Sequence, residues 1–381
     1  MIRINFYGDF YAPNTGILQM DEKLKDVIAS ADINVINLEA PSIDANKSSA
    51  GKMAVRNYVP IEKSGPSLSQ SSESPCWLEA NGFDIVSIAN NHTMDYGEQG
   101  LLDTKEAFKK CSVTGGEDWQ EAYTPCIVTV EGKRIAVFAL SQCEFGNLTD
   151  EWDDTTTYGV AWINHPKVDT IIQKTRKEVD YLIVYAHAGL EQPLPEWRDR
   201  YRQFIDMGCD AVIASHPHIA QGWEFYHGHP IVYSLGNFYF PKRIADTYGW
   251  NKSLSASVLL EDGKINMEII PLTFSEDKIS LCVDKEYKDY IERVNRDLAN
   301  RDVYMEYVNA RCLEIEAKYL SRFVIGGIGS YTNWRDIKRY IGIRLRHPKK
   351  LSIAPLLNNI RCETHRWCFA RAIKLKNHNI L

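Results

Sequence analysis

Tyr181-Leu-Ile-Val-Tyr-Ala-His187-Ala-Gly189-Leu-Glu191, then Asp210-Ala-Val-Ile-Ala-Ser215-His216-Pro217-His218, then Ile231-Val-Tyr-Ser234-Leu-Gly236-Asn237-Phe238 are three short apolar runs, each ending in polar residues. Their reading decides the fold. A run such as residues 182–185 is too short for a helix and rich in β-formers, so it reads as a buried strand. The residues after such a strand sit at its C-terminal end, and sites in open α/β sheets collect at that edge. His187 follows one strand; His216 and His218 follow the next. Two apart in an extended turn, His216 and His218 reach neighbouring points of one pocket. Imidazole is a common ligand for zinc, iron and similar metals. A single histidine is usually a surface or core residue, so the argument rests on all three at strand ends.

The same arrangement recurs upstream. Residues 2–7 read as a strand ending at Gly8-Asp9, where Gly8 permits a tight turn and Asp9 faces the strand-end pocket. Residues 33–37 form a second strand, running into Asn37-Leu38-Glu39-Ala40-Pro41. If the extension continues, Leu38 points away from Asn37 and Glu39, which then share a face. The strand at 84–88 runs into Asn90-Asn91-His92-Thr-Met-Asp95-Tyr-Gly97. Mixed carboxylate, amide and imidazole donors suit a divalent metal such as Mn, Fe or Zn. One zinc needs only three or four protein ligands, so six candidates are enough for one ion or for two sharing a carboxylate. Paired metals clamp the oxygens of an in-line displacement at phosphorus.

Helices are expected at 21–30, 75–81, 97–110, 166–178 and 195–208, the last with Pro at its start and Gly at its end. Residues 126–130 with 134–140, and 254–260 with 264–270, read as hairpins. Residues 42–75, rich in Ser, Lys and Pro, read as a surface loop, and the acidic, aromatic stretch 142–162 as another. An α/β domain thus spans 1–275. A helical C-terminal region, 284–381, follows, with helices at 284–299, 303–323, 334–346 and 355–375 and breaks at 326–330 and 347–348.

The apolar fraction of 44% and charged fraction of 25% are those of a soluble globular protein. The net charge of −6 is unevenly placed: residues 1–283 carry 24 Lys/Arg against 39 Asp/Glu, and residues 284–381 carry 20 against 11. The basic C-terminal region reads either as a helical appendage with a solvated face, free or packed on the acidic domain, or as a contact for an acidic membrane surface or polymer. No nucleic-acid partner is expected. Neither a signal peptide nor an apolar stretch of about 18 residues is apparent. Nine scattered cysteines without a Cys-x-x-Cys pair fit a reduced, cytoplasmic compartment, with peripheral attachment at the inner membrane face as the variant.

The set Gly8-Asp9, Asn37-Leu-Glu39, Asn90-Asn91-His92-x-x-Asp95-x-Gly97, His187-x-Gly189-x-Glu191, His216-Pro-His218 and Ser234-Leu-Gly236-Asn237-Phe238 resembles the CapA family. That family is linked to capsule and poly-γ-glutamate biosynthesis, within the calcineurin-like metallophosphoesterase superfamily. The resemblance spans about residues 1–275, with all motifs in order. It implies a four-layer α/β/β/α sandwich, here with a C-terminal helical extension, and a divalent-metal site at the strand ends. Carried over by position, Asp9 binds a first metal, Glu39 bridges, Asn91, His187 and His216 hold a second, and His218 returns to the first. His92 is implied as general acid or phosphoryl donor, with Asp95 orienting it. Asn37, Glu191 and Asn237 line the pocket. The wider superfamily has Asp-x-His after the first strand, where this chain has Tyr11, and usually an aspartate where it has Glu39. The first metal position therefore has one ligand fewer. Two functions follow as expectations: a phosphoesterase-type hydrolase acting on an anionic polymer or its precursor, with the γ-glutamyl amide as a variant substrate, or a non-catalytic accessory protein of a polymer synthase.

Overall fold

A computed structural model describes residues 1–43, 58–153, 155–190, 193–241, 249–261, 263–323 and 354–377 of the chain. Strand β1 (Ile2–Phe10) leads through β2 (Gln19–Met20) and helix α1 (Glu22–Ala29) to β3 (Ile33–Leu38). Helix α2 (Ser74–Ala80) precedes β4 (Ile85–Ser87), and α3 (Gly97–Ala107) precedes β5 (Ser112–Thr114) and β6 (Gly116–Asp118). After the short α4 (Trp119–Ala122) come the hairpin β7 (Cys126–Val130) and β8 (Lys133–Ser141), then β9 (Asn147–Leu148) and β10 (Tyr158–Ala161). Helix α5 (Pro166–Thr175) feeds β11 (Tyr181–His187), and α6 (Pro195–Asp206) feeds β12 (Ala211–Ser215). Strands β13 (Trp223–Tyr226), β14 (His229–Val232) and β15 (Asn237–Tyr239) precede the long hairpin β16 (Lys252–Glu261) and β17 (Lys264–Phe274), and then β18 (Lys278–Leu281). The remaining described helices are α7 (Lys285–Ala299), α8 (Arg301–Phe323), α9 (Ala354–Arg361) and α10 (Glu363–Lys376).

Two large sheets result. The first runs β2-β18-β17-β16-β1-β3-β4-β5, with β15 also paired to β1; the second runs β13-β14-β12-β11-β8-β7. Strands β1, β3, β4 and β5 are mutually parallel, as are β8, β11, β12 and β14. The alternation of side chains along each central strand explains the layering. In β11, Ile183 and Tyr185 enter a core with Ile4, Phe6, Val35 and Ala256 of the first sheet. Leu182, Val184 and Ala186 face the other way, onto Val168, Ile172, Trp197, Tyr201 and Phe204 of α5 and α6. The far face of the first sheet packs Ile36, Leu38 and Val86 against Leu24, Ile28, Leu78 and Leu101 of α1 to α3. Helices, sheet, sheet, helices: the chain is a four-layer α/β/β/α sandwich.

Two glycines let the central strands meet. A Cβ on Gly8 would lie 1.8 Å from the Gly236 carbonyl oxygen, and Gly236 has φ of +77°. Without side chains there, the Asp9 amide donates to Gly236 O at 3.0 Å and β15 pairs with β1 in the register Asp9↔Asn237. Asp9 also sits opposite Asn37 on β3, and His187 opposite Ser215 on β12. The register therefore places the polar strand ends in rows.

The structure differs from the sequence reading in two places. Residues 142–162 are not all loop: β9 and β10 pair with each other and β10 with β6, in a small third sheet. Those strands are two and four residues long and pair across large sequence gaps, so no local periodicity marks them. The expected helix at 355–375 is two helices, because Cys362 takes an extended conformation (ψ 113°) between α9 and α10. The C-terminal helices pack on the main domain, one of the alternatives read from the sequence: Tyr304, Val308 and Cys312 of α8 and Cys368, Phe369 and Ala372 of α10 enter the same core as α5 and α6. The expected helix at 334–346, the breaks at 326–330 and 347–348, and much of the loop at 42–75 lie outside the described residues. All nine cysteines are free thiols. Among the described residues, no helix is long and apolar enough to cross a membrane.

Candidate metal centre

Strand ends of both sheets converge on one carboxylate. Glu39, just beyond β3, is completely buried, and among the described residues its Oε1 accepts no hydrogen bond. An unsatisfied buried carboxylate oxygen is costly unless a cation meets it. Around it lie His187 Nε2 at 3.6 Å and His218 Nε2 at 3.8 Å. His187 Nε2 is in turn 2.9 Å from His216 Nδ1 and 3.1 Å from Asn91 Oδ1. Two overlapping donor groups emerge, Glu39 with His187 and His216, and Asp9 with Glu39 and His218. Glu39 belongs to both. An orphaned oxygen ringed by imidazole nitrogens and an amide oxygen is a donor set that fits a divalent cation of the Mn, Fe or Zn kind.

Surrounding groups hold these donors in place. Asn37 Nδ2 donates to Asp9 Oδ1 at 2.8 Å and to Glu39 Oε2 at 2.7 Å, so one amide links both carboxylates. Asn90 Nδ2 donates to Asn37 Oδ1 at 3.1 Å and orients it. Asn237 Nδ2 donates to the carbonyls of His218 and Trp250, at 3.1 and 3.0 Å. Its Oδ1 must then face His218 Nδ1, 2.8 Å away, which puts the ring proton on Nδ1 and turns the Nε2 lone pair toward Glu39. His216 and His218 both have left-handed backbones, with φ of 101° and 60°. Such conformations in residues other than glycine are costly and cluster at functional sites.

The electrostatics separate the two carboxylates. Burial opposes ionisation of Asp9, but His187 and His218 hold its carboxyl well below the usual range. Burial, then the neighbouring Asp9 charge, pushes Glu39 well above it. Burial and the adjacent His187 and His218 push His216 well below the ordinary histidine value, which favours the neutral ring that a metal would need.

His92 stands at the rim. Its Nδ1 lies 2.7 Å from Asp95 Oδ2, which also accepts from the Leu68 amide at 2.6 Å. Burial lowers its pKa, with Lys63 adding to the effect against Asp95. Lys63 is a site residue the sequence reading did not select. Its Nζ pairs with Asp95 Oδ1 and lies 3.2 Å from the Asn91 carbonyl oxygen and 3.1 Å from His92 Nδ1. It sits in a stretch without a motif, so only the folded loop reveals it. Gln142 was missed for the same reason; its Nε2 is 2.9 Å from His216 Nε2. Glu144 follows, with Oε1 at 3.5 Å from the same nitrogen.

Of the residues singled out in the sequence, Asp9, Asn37, Glu39, Asn91, His92, Asp95, His187, His216, His218 and Asn237 meet in this one cluster. Glu191 lies outside the described residues. Tyr11, which occupies the usual histidine position, turns away into an apolar cluster, its ring 4.6 Å from that of Phe240.

Residues 1–242 match the family model described as bacterial capsule synthesis protein PGA_cap. The chain is 26% identical over 235 residues to the capsule biosynthesis protein CapA of Bacillus anthracis, covering 58% of this chain and 55% of that protein. It is 28% identical over 232 residues to the PGA biosynthesis protein CapA of Bacillus subtilis, covering 58% of each. The match thus spans little more than half the length of these relatives. Among solved structures, a putative 5'-nucleotidase from Staphylococcus aureus in complex with alpha-ketoglutarate aligns with a TM-score of 0.42 and 12% identity, over 77% of this chain and 58% of that one.

Proposed function

This chain belongs to the bacterial capsule synthesis protein family, and on that premise we propose that it is a metal-dependent hydrolase of phosphoester type, acting on an anionic precursor or product of surface-polymer synthesis. The observation that carries the reading is the orphaned Glu39 Oε1, shared by two groups of metal-competent side chains, His187 with His216 and Asp9 with His218. Asp9, Glu39 and His218 would hold one ion, and Glu39, Asn91, His187 and His216 a second. When bound, such ions supply Lewis-acid polarisation of a phosphoryl oxygen and activation of water at neutral pH.

The chain's own residues supply the rest. Asn37 keeps Asp9 and Glu39 at a fixed separation by donating to both. Asp95 accepts from His92 Nδ1 and fixes that tautomer, so the opposite nitrogen, Nε2, is the one that exchanges a proton with the reacting oxygen. Lys63 ties Asp95 to the Asn91 carbonyl, so the proton donor and one ligand move as a unit. The low pKa of His92 makes it a stronger acid toward a leaving oxygen once it is charged.

Two measurements test the reading: metal content of protein purified without chelator, and turnover of an aryl phosphate ester. One or two ions per chain are expected. His216→Ala should lose metal. His92→Ala should keep it, while turnover falls by about 10²- to 10⁴-fold. Equal metal loss in both variants would remove the role given to His92. Failure to take up added Mn or Zn would overturn the hydrolase and leave a non-catalytic accessory protein of polymer synthesis.

A further inference from the structure

The loop after β8 links the centre to a part of the chain outside the family-matched residues 1–242. Gln142 is buried, and both ends of its amide are committed. Oε1 accepts from the Gly189 amide at 3.0 Å and from Thr364 Oγ1 at 2.7 Å. A backbone N–H only donates, so Oε1 faces Gly189 and Nε2 must face His216. From there Nε2 reaches His216 Nε2 at 2.9 Å and Glu144 Oε1 at 2.6 Å. Thr364 lies in the first turn of α10, fully buried, and its hydroxyl oxygen accepts from Trp197 Nε1 at 2.9 Å. Beside it Glu363 is 2% exposed. Its carboxylate accepts from the Cys143 amide at 2.9 Å, from Asn164 Nδ2 at 3.0 Å and from Trp162 Nε1. Two adjacent residues of one helix thus clamp the loop that touches a candidate ligand.

We infer that Thr364 and Glu363 are positioning residues of the metal centre: α10 fixes the 142–144 loop, and Gln142, donating to Glu144 Oε1 at 2.6 Å, sets that carboxylate 3.5 Å from His216 Nε2, where it would accept the ring proton of a His216 that ligates through Nδ1. The inference rests on the reading of His216 as a ligand. Groups beyond the ligands that hold a histidine by its second nitrogen commonly change metal affinity by about 10- to 100-fold. Here that support comes from a helix more than 140 residues further along the chain than His216.

The test is a double-mutant cycle on the full chain, using Gln142→Ala, Thr364→Val, the double variant and Thr364→Ser. Mn²⁺ affinity is read by competition with a chelator. The His216 ring signals are read in histidine-selective ¹⁵N spectra of metal-free protein, and the melting temperature reports folding. Gln142→Ala and Thr364→Val should each weaken Mn²⁺ binding by about 10-fold. The double variant should be no weaker than Gln142→Ala alone, because both act through one arm. Thr364→Ser should restore affinity. The His216 signals should move in both single variants and no further in the double. Additive effects, or unmoved His216 signals in Thr364→Val, would overturn the inference. If the parent protein binds no Mn²⁺, the metal reading fails, and the ring spectra still decide whether α10 acts on His216.

Discussion

Asp9 and Glu39 are linked through a single amide, yet their proton affinities are pushed in opposite directions. Burial and the Asp9 charge keep the proton on Glu39, while His187 and His218 strip it from Asp9 against the cost of burial. A cation arriving at Glu39 Oε1 must displace that proton. Metal uptake should therefore release about one proton per chain, and affinity should rise with pH. Calorimetry in two buffers of different ionisation heat reads this directly; identical heats in both would contradict it. Lys63 offers a second test. Its charge lowers the His92 pKa, so Lys63→Met should raise the His92 titration midpoint followed by NMR. A midpoint that stays or falls would mean that Lys63 acts on His92 only through packing.

The elements that carry the centre were the most legible part of the chain. Strands β11 and β12 are short apolar runs with polar ends, and their register does place His187 opposite Ser215, one residue before His216. Lys63 and Gln142 were illegible because loops have no periodicity to reveal which side chain turns inward. The same blindness applied to β9 and β10, and to the break at Cys362, which no proline or glycine marks. Helix α6 also has a tie that spacing does not show. Glu224 of β13 accepts from Arg202 Nε and Nη2, both at 2.8 Å, from Arg198 Nη2 at 3.0 Å and from the Tyr233 hydroxyl at 2.6 Å. Burial opposes ionisation, but Arg202, Tyr233 and Arg198 hold the Glu224 carboxyl down at about 2. A depressed carboxyl stabilises the fold above its ordinary pKa and loses that contribution as pH falls toward 2. Partial exposure trims the effect to about 2 kcal/mol. Glu224→Gln should lower urea stability by about this much at pH 7, and the gap to the parent should narrow by pH 3. A gap that is constant with pH would locate the effect in packing.

At the scale of the whole molecule, the acidic and basic parts of the chain are folded against one another. Arg371 Nη2 of α10 lies 3.1 Å from Glu196 of α6 across the two parts, and within the basic part Lys376 pairs with Glu316 of α8. With Cys368, Phe369 and Ala372 in the core, α10 is part of the outer helical layer. Phe369→Ala should cost about 3 kcal/mol of unfolding free energy, measurable in urea, whereas a loosely attached tail would show almost no change. The left-handed backbones of His216 and His218 bear on the same quantity. Glycine at either position would relieve the conformation, so stability and chemistry pull these sites in opposite directions. Histidine at both positions forgoes that relief, and what it gains in return is two imidazole rings set beside Asp9 and Glu39.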